Sequence, residues 1–407
     1  MPWHDVEHSV WNAEPHELID TAAAAFRGHF GAEEVEVLLV DYRQASLVPS
    51  RSRDESVALD TSSQGRAFAS QQIVWERPVV AHVPLAVRGD RIGVLTLRFP
   101  ERPEAGARAA LADAAEVLSR ALRIADISTD LYRQIRRRSR LTLAAEMQWD
   151  LLPGRSYVTD GFHLAGQLEP AYAVWGDNFD WSVAADRLTL TVSNGMGRGT
   201  EAAALTHLGV SALRNARRSG ADITEQAALA NQTLFAHHRG KRHLSTLLLD
   251  FQVSSGRVRV VDAGSPHILR MRGNVTEMIE LEAQLPLGMF GDGEYTVEEF
   301  AVEPGDRLII VSDGIHAARS ATGDLYGAVA LTRALRETRL QNPSEAVRTL
   351  IRHFLEYHQG ADPADDAVVV CLDWTGKNPS DPADSAGQAP VIHDEVGGEL
   401  PFAPIVR

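Results

Sequence analysis

Three apolar runs in the second half of this chain each meet a turn carrying acid or amide side chains. Leu188-Thr189-Leu190-Thr191-Val192 runs into Ser193-Asn194-Gly195-Met196-Gly197-Arg198-Gly199, and Leu308-Ile309-Ile310-Val311 runs into Ser312-Asp313-Gly314. Asp365-Asp366 opens the run Ala367-Val368-Val369-Val370, and Trp175-Gly176-Asp177-Asn178-Phe179-Asp180 precedes the first. Short, β-branched runs bounded by Gly or Asp read as strands. Carboxylates at strand ends, scattered in sequence, are how a β scaffold gathers oxygen ligands for a hard cation around one point. The fold must therefore bring four distant segments together. One of their turns carries an amide, Asn194, rather than an acid.

Around these runs the pattern alternates between strands and helices. Strands are expected at 163–168, 187–193, 244–253, 258–261, 268–272, 297–302, 307–312 and 367–372, with helices at 200–219, 223–237, 326–338 and 343–357. Many strands with two pairs of helices point to an α/β sandwich, two sheets covered by helices, over residues 151–375. The first 120 residues read as a separate α+β domain. An amphipathic helix at 14–30 stops at Gly31, a strand covers 35–40 and a short helix 63–70, and a hairpin of 79–87 and 91–99 turns at Arg88-Gly89-Asp90.

From Glu104 one long helix is expected, with 121–150 as a linking, signalling segment. Its stripe of Leu111, Ala114, Leu118, Ala121, Leu122, Ile124, Ile127, Leu131 and Ile135 has the spacing of a dimerising helix. The basic run Arg136-Arg137-Arg138-Ser139-Arg140 reads as a solvated helix face or an acidic-partner contact. Residues 376–407, rich in Pro, Gly, Ser and Asp, read as a disordered tail.

At 407 residues the chain has room for two or three domains. A net charge of −15 argues against a general nucleic-acid binder or a binder of anionic membranes. One cysteine, Cys371, excludes an internal disulfide and fits a reducing cytoplasm. No run approaches the ~20 apolar residues of a spanning helix, and the first residues lack the features of a signal peptide. The expected location is the cytoplasm.

Two resemblances follow from motifs. The segment from His82 to Leu97 resembles the central hairpin of GAF domains, which implies a sensor that holds a small-molecule ligand or dimerises; His82 itself reads as a strand residue. Residues 140–374 resemble the SpoIIE-type branch of the PPM (PP2C-like) serine/threonine phosphatases. The likeness runs through Glu146-Met147-Gln148-Trp149-Asp150-Leu151-Leu152-Pro153, Glu169-Pro170-Ala171, Gly176-Asp177-Asn178-Phe179-Asp180 and Gly195-Met196-Gly197-Arg198-Gly199. It continues through Ala263-Gly264, Leu285-Pro286-Leu287-Gly288, Pro304-Gly305-Asp306, Ser312-Asp313-Gly314 and Asp365-Asp366.

That resemblance implies an α/β-β/α sandwich, two Mn²⁺ or Mg²⁺ ions and a metal-activated water, with no phosphoenzyme. It places Asp177, Asn194, Asp313 and Asp365 at metal-ligand positions, with Gly195 offering its backbone carbonyl. Asp180 and Asp366 would orient ligands and waters, and Arg198 would touch a phosphate. The implied substrate is a small regulatory phosphoprotein such as an anti-sigma-factor antagonist.

The chain also departs from the family. Asn194 stands where the family has the aspartate that bridges the two metals, Trp175 replaces the first glycine of Gly-Gly-Asp, and Ser265 replaces a histidine, with His267 two residues later. Four carboxylates balance two dications, whereas three leave one positive charge, so the second ion should bind more weakly. Two readings stay open: a phosphatase, or a catalytically impaired binding module.

Overall fold

The computed structural model describes residues 4–52, 55–104, 106–138, 142–170, 174–264, 266–318, 326–358, 363 and 365–376. The chain starts with α1 (His4–Asn12) and α2 (Leu18–Phe30), which ends on Gly31 in the left-handed region, φ 68°. There follow β1 (Glu34–Val40), β2 (Ser46–Pro49), β3 (Val57–Ala58), α3 (Ser63–Ser70), β4 (Val74–Arg77), β5 (Val80–Val87) and β6 (Asp90–Arg98). They form one antiparallel sheet in the order β3-β2-β1-β6-β5-β4.

The alternation of β1 explains its two cores. Val35, Val37 and Leu39 face Phe26 and the helices, while Leu38 and Val40 face Phe68 of α3. His82 lies in β5, buried, with ring nitrogens on Thr96 Oγ1 (3.0 Å) and Glu76 Oε2 (3.3 Å). It is a satisfied strand residue.

The single long helix is a correction. The segment divides into α4 (Ala107–Ala125), α5 (Leu131–Arg136) and α6 (Leu143–Leu151). Its apolar stripe serves the chain's own core, because Leu111, Ala114, Leu118, Ala121, Leu122 and Ile135 pack with Phe26, Leu95 and Leu97. The break after Ala125 turns the chain so that Tyr132 and Ile135 reach the same core, and the Tyr132 hydroxyl donates to the Pro15 carbonyl. Of the stripe, Ile124 and Ile127 are left exposed.

The second half contains β7 (Ser156–Val158), β8 (Phe162–Glu169), β9 (Asn178–Ala184), β10 (Arg187–Gly195), α7 (Gly199–Arg218), α8 (Ile223–His238), β11 (Leu244–Gln252) and β12 (Arg257–Ala263). Next come β13 (His267–Arg272), β14 (Val275–Met278), β15 (Glu298–Ala301), β16 (Arg307–Val311), α9 (Asp313–His316), a π turn at Tyr326–Ala330, α10 (Leu331–Glu337), α11 (Pro343–Tyr357) and β17 (Ala367–Trp374). Two sheets result, β15-β12-β11-β10-β9 and β14-β13-β16-β17-β8-β7.

Leu188, Leu190, Val192, Leu247 and Leu249 of the first sheet meet Phe162, Leu308, Ile310, Val368 and Val370 of the second. Outside the first sheet, Leu205, Leu213, Ala227 and Leu234 of α7 and α8 cover Leu248 and Val261. Outside the second, Leu335, Val347, Leu350 and Phe354 of α10 and α11 cover Ile309, Val369 and Cys371. Four layers, helix–sheet–sheet–helix, are the expected sandwich. Among the described residues no helix is long and apolar enough to cross a membrane. The tail beyond residue 376 lies outside the described residues.

The two halves meet along a polar seam. The Tyr42 ring stacks on Trp149 with centroids 5.0 Å apart, and Arg43 pairs with Glu169 at 3.1 Å. Arg91 binds Glu345 and the Asn342 side chain, and Arg348 reaches Asp60 at 2.7 Å. The turn between β5 and β6 docks on β7: Gly89 takes φ 87°, the Ser156 hydroxyl donates to its carbonyl at 2.5 Å, and Arg155 N donates to Asp90 Oδ1 at 3.1 Å.

Candidate active site

The strand ends deliver the acidic segments to one mouth between the two sheets. Asp177 immediately precedes β9, Asn194 and Gly195 end β10, Asp313 opens α9 after β16, and Asp365 precedes β17. Register fixes this. Ser193 pairs with Asn178 between β10 and β9, and Val311 pairs with Val369 between β16 and β17.

Asp366 organises the loop that carries Asp177. Its Oδ2 accepts from the backbone N–H of Trp175 (2.8 Å), Gly176 (2.9 Å) and Asp177 (3.3 Å), and from Gln148 Nε2 (2.7 Å). Gln148, on α6, also donates to the Asp177 carbonyl at 3.1 Å. The Thr206 hydroxyl of α7 donates to the Gly176 carbonyl at 2.6 Å, and Gly195 N donates to the same oxygen at 3.2 Å. A Cβ at Gly195 would collide with Thr206 Oγ1, and one at Gly314 would collide with the Asp366 carbonyl, so both turns require glycine for close approach.

Asp177 is the anomaly in this network. Its side chain is buried, and neither carboxylate oxygen has a hydrogen-bond partner among the described residues. Burial first, then the charges of Asp366, Asp365 and Asp313, push its carboxyl well above the usual range; the nearby Ser312 hydroxyl only partly offsets this. Burial and Asp313 raise Asp365 to about 7, with Arg198 pulling the other way. A buried carboxylate without donors, beside three more, is a costly arrangement for the protein alone. Divalent cations would relieve it, and an all-oxygen donor set suits Mn²⁺ or Mg²⁺. Among the described residues, no three His, Cys, Asp or Glu side chains are yet grouped closely enough to hold one ion. Instead the Asn194 amide donates to Asp313 Oδ1.

The other expected residues divide. Asp366 orients the Asp177 loop through backbone donors. Asp180 is a correction: it lies on the opposite face of β9, where Arg214 Nη2 (2.7 Å) and Arg217 Nη2 (3.1 Å) of α7 hold it. Its parity along the strand matches that of Asn178 rather than Asp177. The Arg198 guanidinium lies 4.0 Å from the centre of the Trp175 ring, and its charge acts on Asp365. Trp175 thus serves as a platform for an arginine at the mouth. His267 lies against His316, with ring centroids 3.9 Å apart, while Ser265 is outside the described residues. Gln148 and Thr206 were missed as site residues. Gln148 had a signal in its place in the Gln/Leu-Leu-Pro segment, whereas Thr206 had none.

The two-sheet sandwich with helices outside has PPM-type phosphatase domains among its structural neighbours. Residues 184–375 match the family model described as Stage II sporulation protein E (SpoIIE). Solved structures with a similar fold include the RsbU and RsbW domains of Rv1364c from Mycobacterium tuberculosis, at 20% identity over 54% of this chain and 63% of that one, TM-score 0.47. Another is the PP2C phosphatase domain with a regulatory fragment of the cell fate determinant SpoIIE from Bacillus subtilis, at 20% identity over 54% and 66%, TM-score 0.47. The catalytic domain of the serine/threonine protein phosphatase PstP, in complex with two manganese ions, shares 17% identity over 52% and 98%, TM-score 0.39. The chain thus spans less than two thirds of the length of the first two. No curated protein matches the chain.

Proposed function

We propose that the C-terminal domain is a metal-dependent phosphoprotein phosphatase acting on phosphoserine or phosphothreonine. The observation that carries this is Asp177, a buried carboxylate without donors beside Asp313, Asp365 and Asp366. Bound Mn²⁺ or Mg²⁺ would supply an acidified water and neutralise phosphoryl oxygens. Asp177, Asp313, Asp365, Asn194 Oδ1 and the Gly195 carbonyl are the residues that would hold them. Asp366 keeps the Asp177 loop in place through its backbone donors. Arg198, which lies over the Trp175 ring at the rim, would bind a substrate phosphate. No side chain here needs to act as a nucleophile.

A specific observation favours a second reading, an impaired phosphatase that binds a phosphoprotein without turnover. Asn194 is neutral, and its amide donates to Asp313, tying up a carboxylate that the metal reading requires. Hydrolysis of a phosphopeptide with and without Mn²⁺ separates the two, using the wild type, Asn194→Asp and Asp313→Ala. The enzyme reading expects Mn²⁺-dependent turnover that Asp313→Ala lowers about 100-fold and Asn194→Asp raises. A silent wild type that Asn194→Asp awakens establishes the impaired reading. Turnover indifferent to Asp313→Ala rejects the ligand assignment.

The proposal extends to regulation. The N-terminal domain, with its GAF-like β5–β6 hairpin, acts as a small-molecule sensor for the phosphatase domain across the seam. The proposed substrate is a small regulatory phosphoprotein such as an anti-sigma-factor antagonist, in the cytoplasm.

A further inference from the structure

The turn that leads into β11 reads His237-His238-Arg239-Gly240-Lys241-Arg242-His243, basic at every position but the glycine, in a chain of net charge −15. It borders the carboxylate mouth. Leu244 pairs with Gly195 and Ser245 with Asn194, so the residues just before β11 lie beside the strand end that carries Asn194 and Gly195. Met196 N donates to the His243 carbonyl at 3.2 Å, and a Cβ on Gly197 would come within 2.7 Å of Arg242 Nη1. Arg198, the next residue, lies over the Trp175 ring at the same rim.

Part of this charge has a local use. His237 and His238 complement the dipole in the last turn of α8, and Arg242 binds Glu201. Arg239 and Lys241 are left over: both are exposed, and neither has an acid partner among the described residues. The backbone that carries them is pinned. Arg239 takes the left-handed conformation, φ 53°, uncommon for an arginine, and its N–H donates to the Phe235 carbonyl at 2.7 Å. Lys241 N donates to the His238 carbonyl at 3.1 Å, and a Cβ on Gly240 would sit 2.8 Å from the Met289 carbonyl. That contact sets Phe290 beside the cations, and Asn231 Nδ2 fixes the Phe290 carbonyl at 2.9 Å. The side chains of Phe290 and Met196 are exposed. Arginine beside exposed aromatic and methionine side chains is the composition of a protein interface rather than of a solvated charge run. A fixed backbone also lowers the ordering cost of binding.

We propose that residues 237–243, with Met196 and Phe290, form a lip that binds acidic residues flanking the phosphorylated serine or threonine of a protein substrate. This rests on the reading of the mouth as the phosphoryl site, and it narrows the substrate to a phosphoprotein whose phosphorylated residue lies in an acidic segment. Charge complementarity selects that occupant. A protein of net charge −15 repels an acidic segment, as do the carboxylates of the mouth, so local cations are needed to seat it. Exposed ion pairs are individually weak, and Arg239 and Lys241 act together with an apolar anchor beside them. The lip touches the substrate away from the reacting bond. It holds ground state and transition state alike, so it lowers KM and leaves kcat unchanged.

The test uses the full chain with Mn²⁺ and fluorescent peptides of one length, phosphoserine flanked either by Asp and Glu or by Asn and Gln. Anisotropy reads the binding of their non-hydrolysable phosphonate forms, and phosphate release reads turnover of the phosphoserine forms. Expected is binding of the acidic peptide about tenfold tighter than that of the neutral one, with KM lower by the same factor at equal kcat. The preference fades as ionic strength rises. Lys241→Glu combined with Arg239→Asn, a residue that tolerates the left-handed backbone, brings the affinity ratio near one. Equal affinity for the two peptides overturns the lip, as does a preference that the double variant leaves intact. Should the double variant lose its melting transition, Lys241→Glu alone decides, lowering the ratio about threefold or, by leaving it unchanged, overturning the proposal. Tighter binding of phosphatidylserine vesicles or duplex RNA than of the acidic peptide would assign the turn to another polyanion and overturn it too. The two readings fail separately. Preferential binding without turnover of either peptide upholds the lip and refutes the phosphatase, whereas turnover of both with equal KM and equal affinity refutes the lip alone.

Discussion

Glu169, 3% exposed at the end of β8, has Arg43 at 3.1 Å as its counter-charge. Burial, the largest cause, raises its carboxyl to about 7 despite Arg43 and Arg155. A carboxyl whose folded pKa exceeds its unfolded value favours the folded state in its protonated form. That stability is complete below pH 4.5 and is lost as pH rises from there through 7. Glu169→Gln should therefore stabilise the protein at pH 8 relative to pH 4, by at most on the order of 3 kcal/mol, less what Arg43 forfeits. Denaturant titrations of both proteins at the two pH values check this, and an equal difference at each would reject it. The acids of the mouth could be read from sequence because Asp-Gly and Asp-Asp at strand ends advertise themselves. Asp180 could not, because its partners Arg214 and Arg217 lie a helix away. Nor could the Asn194–Asp313 bond, which joins two distant turns.

Helix α8 shows how much a single element can carry in its first turn. Asp222 Oδ1 accepts from the N–H groups of Thr224 and Glu225 at 3.0 Å each, and Glu225 Oε2 returns to Asp222 N at 2.9 Å. This capping box fixes where α7 ends and α8 begins over the first sheet. The Thr224 hydroxyl, then the Glu225 N–H, hold the Asp222 carboxyl down at about 2. Its stabilisation is thus present above pH 3.8 and lost as pH falls from there to 2. Asp222→Ala should cost about 1 kcal/mol at pH 7 and much less near pH 2, as thermal melts at the two pH values would show. Helices with such starts were legible, α11 included, with its Asn342 cap and Pro343. The division of α4 from α5 was not. The residues from Asp126 to Asp130 contain no Gly or Pro, and the stripe through them has the same spacing whether it meets a second chain or the chain's own sheet.

For the whole molecule the seam decides whether the two halves behave as one. Arg91, nearly buried, joins the β5–β6 hairpin to Glu345 and to the Asn342 cap of α11. Arg91→Ala leaves Glu345 with Arg348 alone and should cost about 2 kcal/mol, separating one calorimetric transition into two. A single unsplit transition would show that the Tyr42–Trp149 stack and the Asp60 pairs suffice. The strand order carries a consequence for biosynthesis. In the second sheet β17 sits between β8 and β16, and Trp374 pairs with Phe162 across almost the whole domain. The first sheet, β15-β12-β11-β10-β9, closes on segments that have all left the ribosome earlier. Until β17 emerges, β8 and β16 each present an open, apolar edge. A nascent or truncated chain ending before Asp365 is then the form most exposed to aggregation and to chaperones. It would also lack Asp365 and Asp366, so only the completed sheet carries the full carboxylate set.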